Sequence, residues 1–203
     1  MPRSSPRTPI VLGLLLALLL ASFPARAGAV GTPDLPMLQD FVRMVSNGEA
    51  DTLRGIFVPG VLASWIVPQP EGETNFVSET ENTLTQFGLA ERFGSTGLLA
   101  HNTLAGGNFS RLKERQVFSL VYGDGRTESF IVTQTLRFRA LDPQDTRSLF
   151  FDLDQSRFLT AEQLFLKVYH QPGRVVLQTC IDADDEPSWG RLFVIAEPYG
   201  TGP

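Results

Sequence analysis

Hydrophobic and polar positions change their spacing several times along the chain, and each change predicts an element. Val11 to Ala21 is an unbroken apolar run. A polar, proline-containing lead (Gly31 to Pro36) follows, and then Leu38, Phe41, Val42 and Val45 fall at i, i+3, i+4 and i+7. That spacing predicts an amphipathic helix over 37–47, ended by Asn47-Gly48. From Gly55 onward the pattern shortens to β-like runs separated by turn residues. Val61 to Val67 is stopped by Pro68, Pro70 and Gly72, and Leu98-Leu99-Ala100 follows Gly97. Val117 to Tyr122 runs into Gly123-Asp124-Gly125, a hairpin-type turn.

Ser129 to Ala140 then alternates, with Leu136, Phe138 and Ala140 on one face and Thr135, Arg137 and Arg139 on the other. This is the period of a half-buried strand. Thr160-Ala161-Glu162-Gln163 reads as a capping box, and Leu164, Phe165, Val168 and Tyr169 continue it as one short helix ending near Pro172-Gly173. Two last strands are predicted at Arg174–Thr179 and Leu192–Ala196, joined by a polar loop from Ile181 to Gly190. Many short strands with few helices predict a mainly antiparallel β barrel or sandwich.

The N-terminus separates from this domain. Arg3 and Arg7 precede the apolar run, and Ala25-Arg26-Ala27 closes it. A basic start, a short apolar core and an Ala-x-Ala site make a secretory signal peptide. The core is shorter than the ~20 residues of a membrane span. The expected organisation is a signal peptide over 1–27 (cleavable, or retained as an anchor), a helical segment over 28–57, a barrel over 58–198 and a short tail over 199–203. Removing the leader takes away three arginines and no acid, so the mature domain is more acidic than the formal charge of −5. This excludes the basic surface that a nucleic-acid partner requires.

The single cysteine changes the picture more. Exported domains generally use cysteines in disulfide pairs, and Cys180 has no partner. It is either a small buried hydrophobe or a nucleophile. Val175 to Thr179 leads directly into it, and Arg191 opens the next strand. If those strands pair as antiparallel neighbours, about 4.8 Å apart, Cys180 and Arg191 face the same end of the barrel. Arg191 is then either a solvated charge or a fixed cation that favours the thiolate and stabilises an oxyanion. A thiol nucleophile also needs a proton acceptor and donor. Of the two histidines, His170 sits at a helix end and reads as structural. His101 follows an apolar run and precedes Asn102, either as a satisfied half-buried residue or as the base.

Leu98-Leu99-Ala100-His101-Asn102, Leu177-Gln178-Thr179-Cys180 and Arg191-Leu192-Phe193-Val194 resemble, in this order, the His, Cys and Arg segments of sortases. Phe109-Ser110-Arg111-Leu112 and Leu120-Val121-Tyr122-Gly123-Asp124 are similar to the family's Phe-x-x-Leu and Gly-Asp segments. The resemblance covers roughly 58–198. It implies a closed eight-stranded barrel and a cysteine transpeptidase of the cell envelope with His101, Cys180 and Arg191 as catalytic residues. The implied partners are exported proteins with a C-terminal sorting signal, commonly Leu-Pro-x-Thr-Gly, and an amine acceptor from the cell wall or another protein. Asn102, Thr179 and Trp189 are the candidate substrate-binding residues. Ala100 stands where many sortases have glycine, and Phe150 to Gly173 would occupy the substrate-reading loop.

No cofactor is implied. The acids Asp182, Asp184, Asp185 and Glu186 read as a solvated loop, with calcium as the other reading. Two further functions stay open: a non-catalytic exported β domain with Cys180 buried and Trp65 or Trp189 in a binding patch, and a cysteine hydrolase using water. The Ser-x-Gly-Cys-like segment of L,D-transpeptidases is absent around Cys180.

Overall fold

The computed structural model describes residues 35–200. The expected signal peptide and the end of the expected tail lie outside these residues. The described chain runs α1 (Leu38–Val45), β1 (Leu53–Val58), β2 (Leu62–Pro68), β3 (Thr83–Phe87), α2 (Gly88–Glu91), β4 (Thr96–Leu99), a 3-10 helix (Ala105–Arg111), β5 (Val117–Tyr122), β6 (Thr127–Ala140), β7 (Phe150–Asp152), β8 (Arg157–Leu159), α3 (Ala161–Tyr169), β9 (Val175–Ala183) and β10 (Glu186–Pro198). Among the described residues no helix is long and apolar enough to cross a membrane.

The strands lie in the order β10-β9-β4-β3-β2-β1-β5-β6, and β6 pairs again with β10. Eight strands therefore close a barrel. The closure depends on β6, which is 14 residues long. Its first part pairs with β5, its middle and end pair with β10, and its last residues also hold β7, which carries β8. The barrel begins at Leu53, ahead of the boundary expected at 58, because β1 pairs with both β2 and β5.

Alternation sorts each strand's side chains into two cores. Inside the barrel lie Ile56, Ile66, Leu84, Leu98, Phe118, Leu120, Val175, Leu177, Leu192 and Val194, with Phe109 of the 3-10 helix as a plug. Outside it, Leu136, Phe138, Val176, Phe193 and Ile195 are covered by Leu164, Val168 and Tyr169 of α3 and by Phe150 and Leu159 of the β7–β8 hairpin. The bulge between Ile195 and Ala196 shifts the β6–β10 register, so Phe130 and Val132 face inward while Leu136, Phe138 and Ala140 face out.

The predicted capping box at Thr160 is present. Thr160 Oγ1 accepts from Gln163 N at 3.2 Å and Gln163 Oε1 accepts from Thr160 N at 2.9 Å. The polar loop expected at 181–190 is instead a continuous hairpin. β9 extends to Ala183, β10 starts at Glu186, and Asp184 and Asp185 form the tip with φ of 54° and 62°. Two left-handed residues in succession match the twist of a tight hairpin, and Asp tolerates that conformation better than most residues. Cys180 and Arg191 are thus inside paired strands, not at their ends.

Candidate active site

Cα register pairs two of the three sequence-predicted residues directly and brings the strand that leads to the third alongside. Cys180 on β9 is the direct antiparallel partner of Arg191 on β10. On the other side β4 runs parallel to β9, with Leu99 level with Gln178 and Ala100 N donating to Gln178 O at 3.2 Å. The paired register ends at Leu99, and His101 follows two residues on, where the chain has left β4. The register extends past Arg191 to its β6 partner, Phe138, and from there to Asp152 on β7.

The Cys180–Arg191 pair lies on the outer face of the barrel. Val175, Leu177 and the partly buried Ile181 pack inside, so Val176, Gln178 and Cys180 point out. On β10, Phe193 and Ile195 belong to the outer core, and Arg191 shares their face. Leu98 of β4 and Ala100 just beyond it are interior residues. Cys180 is a free, half-buried thiol, and His101 and Arg191 are also half-buried.

Each member is held by its own surroundings. The Arg191 guanidinium donates through Nη1 to the carbonyls of Ser188 and Gly190, both at 2.9 Å. Among the described residues no carboxylate pairs with it. Its charge is therefore unneutralised beside the thiol, and Nε and Nη2 remain available as donors. Downstream of β4 the chain turns sharply, and the His101 carbonyl accepts from Leu104 N at 3.0 Å and Gly106 N at 3.1 Å. Glycine is required at 106. A Cβ there would overlap the Thr179 hydroxyl and come within 2.7 Å of the carbonyls of Ala100 and His101.

The three candidate substrate-binding residues separate. Asn102 Nδ2 donates to Pro187 O at 3.2 Å, tying the histidine turn to the β9–β10 hairpin. Asn102 also lines a cavity of about 570 Å³ with Thr103 and the acids from Asp182 to Glu186. Thr179 faces the barrel interior, 4% exposed, opposite to Cys180. This corrects its expected contact with substrate: a residue next in sequence to an outward thiol points inward, and Thr179 backs the histidine turn instead. Trp189 lies in the irregular stretch where β10 shifts register against β9, with the Arg139 guanidinium 5.6 Å from its ring centre. Trp65 packs against the cluster of Phe41, Val45, Ala63 and Val121. Among the described residues no three His, Cys, Asp or Glu side chains are grouped to hold a metal ion. His170 is the C-cap of α3, with its ring 5.6 Å from that of Phe93.

Sequence reasoning did not anticipate Tyr169 or the β7–β8 hairpin as parts of this face. Tyr169 is 2% exposed, and its hydroxyl donates to Gln178 Oε1 at 2.6 Å, two residues before Cys180. Burial pushes its pKa well above the ordinary tyrosine range, so the hydroxyl stays protonated. In the sequence Gln178 stands only within the Leu177-Gln178-Thr179-Cys180 segment, and nothing in the linear pattern connects it with a helix residue nine positions earlier.

No family model matches this sequence, and no curated protein matches it significantly. Solved structures are similar in fold. The chain overlays Listeria monocytogenes sortase A over 73% of its own length and 87% of that chain, at 14% identity and a TM-score of 0.47. For sortase C-1 from Actinomyces oris the values are 82%, 83%, 18% and 0.47. For a lid mutant of Streptococcus agalactiae sortase C1 they are 79%, 74%, 14% and 0.47.

Proposed function

We propose that this chain is an extracytoplasmic cysteine transpeptidase of the sortase type, acting through Cys180, His101 and Arg191. The observation that carries the reading is the register itself. A lone, half-buried thiol is the direct register partner of an unneutralised arginine, and the strand on its other side runs on into His101 two residues past its last pair. A merely structural cysteine in an apolar core has no need of either neighbour.

The chemistry follows from the groups. His101 takes the thiol proton, and the Cys180 sulfur attacks the carbonyl carbon of a peptide bond, forming the C–S bond. The free nitrogens of Arg191 donate to the oxyanion that develops, where a fixed charge on a half-buried side chain is effective. The His101 imidazolium then gives its proton to the leaving amine nitrogen as the C–N bond breaks, leaving a thioester. An incoming amine loses a proton to His101 and attacks the thioester, restoring the peptide bond and the thiolate. The substrates are exported proteins with a C-terminal sorting signal, and the acceptor is an amine from the cell wall or another protein.

The test uses the mature domain, iodoacetamide at pH 7, and a Leu-Pro-Ala-Thr-Gly peptide with and without triglycine. Labelling confined to Cys180 and slowed in His101→Ala, together with a ligated product when triglycine is present, is the expected result. Cleavage without ligation would replace the amine by water and make the protein a hydrolase. A thiol that reacts only after denaturation removes the catalytic reading altogether.

A further inference from the structure

Gln178 and Cys180 lie on the same face of β9, two residues apart, which on a strand is about 6.8 Å. One end of the Gln178 amide is already committed. Tyr169 is buried, and its hydroxyl hydrogen goes to Gln178 Oε1 at 2.6 Å. A buried hydroxyl that failed to donate would leave a polar hydrogen unsatisfied, so the pair fixes which end of the amide is oxygen. The ring itself cannot retreat. It stands among Phe87, Phe165 and Phe193, with centres 5.5, 5.1 and 6.4 Å away, and over Gly97, where a Cβ would come to 3.0 Å from it.

The other end of the amide is uncommitted. Among the described residues Gln178 Nε2 donates to nothing, and it is not among the fully buried side-chain atoms that lack a partner. Two N–H donors are therefore left over on the face of β9 that carries Cys180.

From this arrangement we infer that Gln178 is a substrate-positioning residue, oriented by Tyr169, whose amide donates to a backbone carbonyl two residues from the scissile one. The ligand chemistry is that of an extended peptide lying along β9. In such a peptide, alternate carbonyls repeat at the same ~6.8 Å as the strand beneath, so one carbonyl at Cys180 places the next on that side at Gln178. Specificity is then a matter of conformation: a peptide that cannot stay extended over those two residues loses this contact. The inference rests on the cysteine-peptidase reading above.

The experiment compares two electrophiles on the same thiol. Acetyl-Leu-Pro-Ala-Thr chloromethyl ketone presents peptide carbonyls along β9, and iodoacetamide does not. The readout is the ratio of their second-order rates at Cys180. The double variant Tyr169→Phe/Gln178→Met removes donor and acceptor together and so leaves no buried polar group unpaired. It is expected to keep the iodoacetamide rate and to lower the peptidyl rate at least tenfold. Gln178→Glu keeps an acceptor for Tyr169 and loses both donors, and it should lower the ratio by a similar factor; it decides the matter if the double variant does not fold. A ratio unchanged in Gln178→Glu, with the wild-type thiol reactive toward both reagents, overturns the role of Gln178 and leaves the catalytic reading standing. A wild-type Cys180 inert to both reagents overturns the two together.

Discussion

The two faces of β9 carry opposite duties within nine residues. Inward, Val175 and Leu177 are fully buried and Thr179 is 4% exposed against the 3-10 helix. Outward, Val176 is equally buried under α3, but Gln178 and Cys180 are half-exposed. The inner face is uniformly buried because the barrel interior is close-packed. The outer face is graded, since α3 covers its beginning and leaves its end open. A strand of this kind is anchored by one face and partly by the other, so the remaining outer positions carry reactive groups on a backbone that cannot shift. The difference teaches that the site's rigidity comes from residues that no substrate can touch.

Substitutions on the two faces should therefore separate stability from activity. The largest effect belongs outside. Arg191→Ala removes the fixed donor opposite Cys180 and is expected to lower the rate of peptide cleavage by about 10²–10³, as loss of an oxyanion donor does elsewhere. Its thermal unfolding midpoint should stay near that of the wild type, because the guanidinium bonds only to carbonyls of its own strand. A fall in stability with unchanged turnover would make Arg191 a structural residue. Inside, Leu177→Ala leaves a cavity in the barrel and is expected to cost about 2–5 kcal/mol by denaturant unfolding. Labelling of Cys180 in the molecules that remain folded should keep its wild-type rate. Gly106→Ala lies between these cases. The added methyl has backbone carbonyls on two sides, so about 1–3 kcal/mol is expected, and the turn that carries His101 must shift with it. This variant alone should lose both stability and labelling rate, and retention of either would show that the turn has slack.

Much of this division was legible along the chain. Leu136, Phe138 and Ala140 alternate with Thr135, Arg137 and Arg139 as predicted, because a strand with one face covered by other elements enforces a period of two. The capping box at Thr160 and the turn at Gly123-Asp124-Gly125 depend on neighbours in sequence and were readable for the same reason. Cys180 and Arg191 were placed together correctly although the loop between them was not. Ile181 to Gly190 is polar, and polarity alone does not distinguish a loop from a hairpin whose tip stands clear of the core. The short strands β7 and β8 were missed because three residues carry too little periodicity to count. Their pairing is imposed by the exposed edge at the end of β6. Thr179 was assigned to substrate because it adjoins Cys180 in sequence, and alternation sends neighbours to opposite faces. The link between Tyr169 and Gln178 was out of reach, since only the folded chain lays α3 across β9.

That link gives the smallest effect and the one with a change of sign. At neutral pH, Tyr169→Phe deletes a single hydrogen bond to an amide that water can reach, so a loss of about 0.5–1.5 kcal/mol is expected. Alkali reverses the comparison. In the folded protein, burial holds the Tyr169 pKa far above the value of about 10 that the residue has in the unfolded chain. The stability that depends on its neutral form is fully present below pH 10 and declines as pH rises beyond it, because the unfolded chain can release the proton and the folded chain cannot. The decline is about 1.4 kcal/mol for each pH unit above that point. Phenylalanine has no proton to release, so the stability difference between the two proteins should narrow from pH 10 and cross near pH 11. Equilibrium urea unfolding of wild type and Tyr169→Phe between pH 7 and 11.5 measures this directly. Parallel curves throughout would mean that the hydroxyl ionises as readily folded as unfolded, and Tyr169 would then be open to water between α3 and β9.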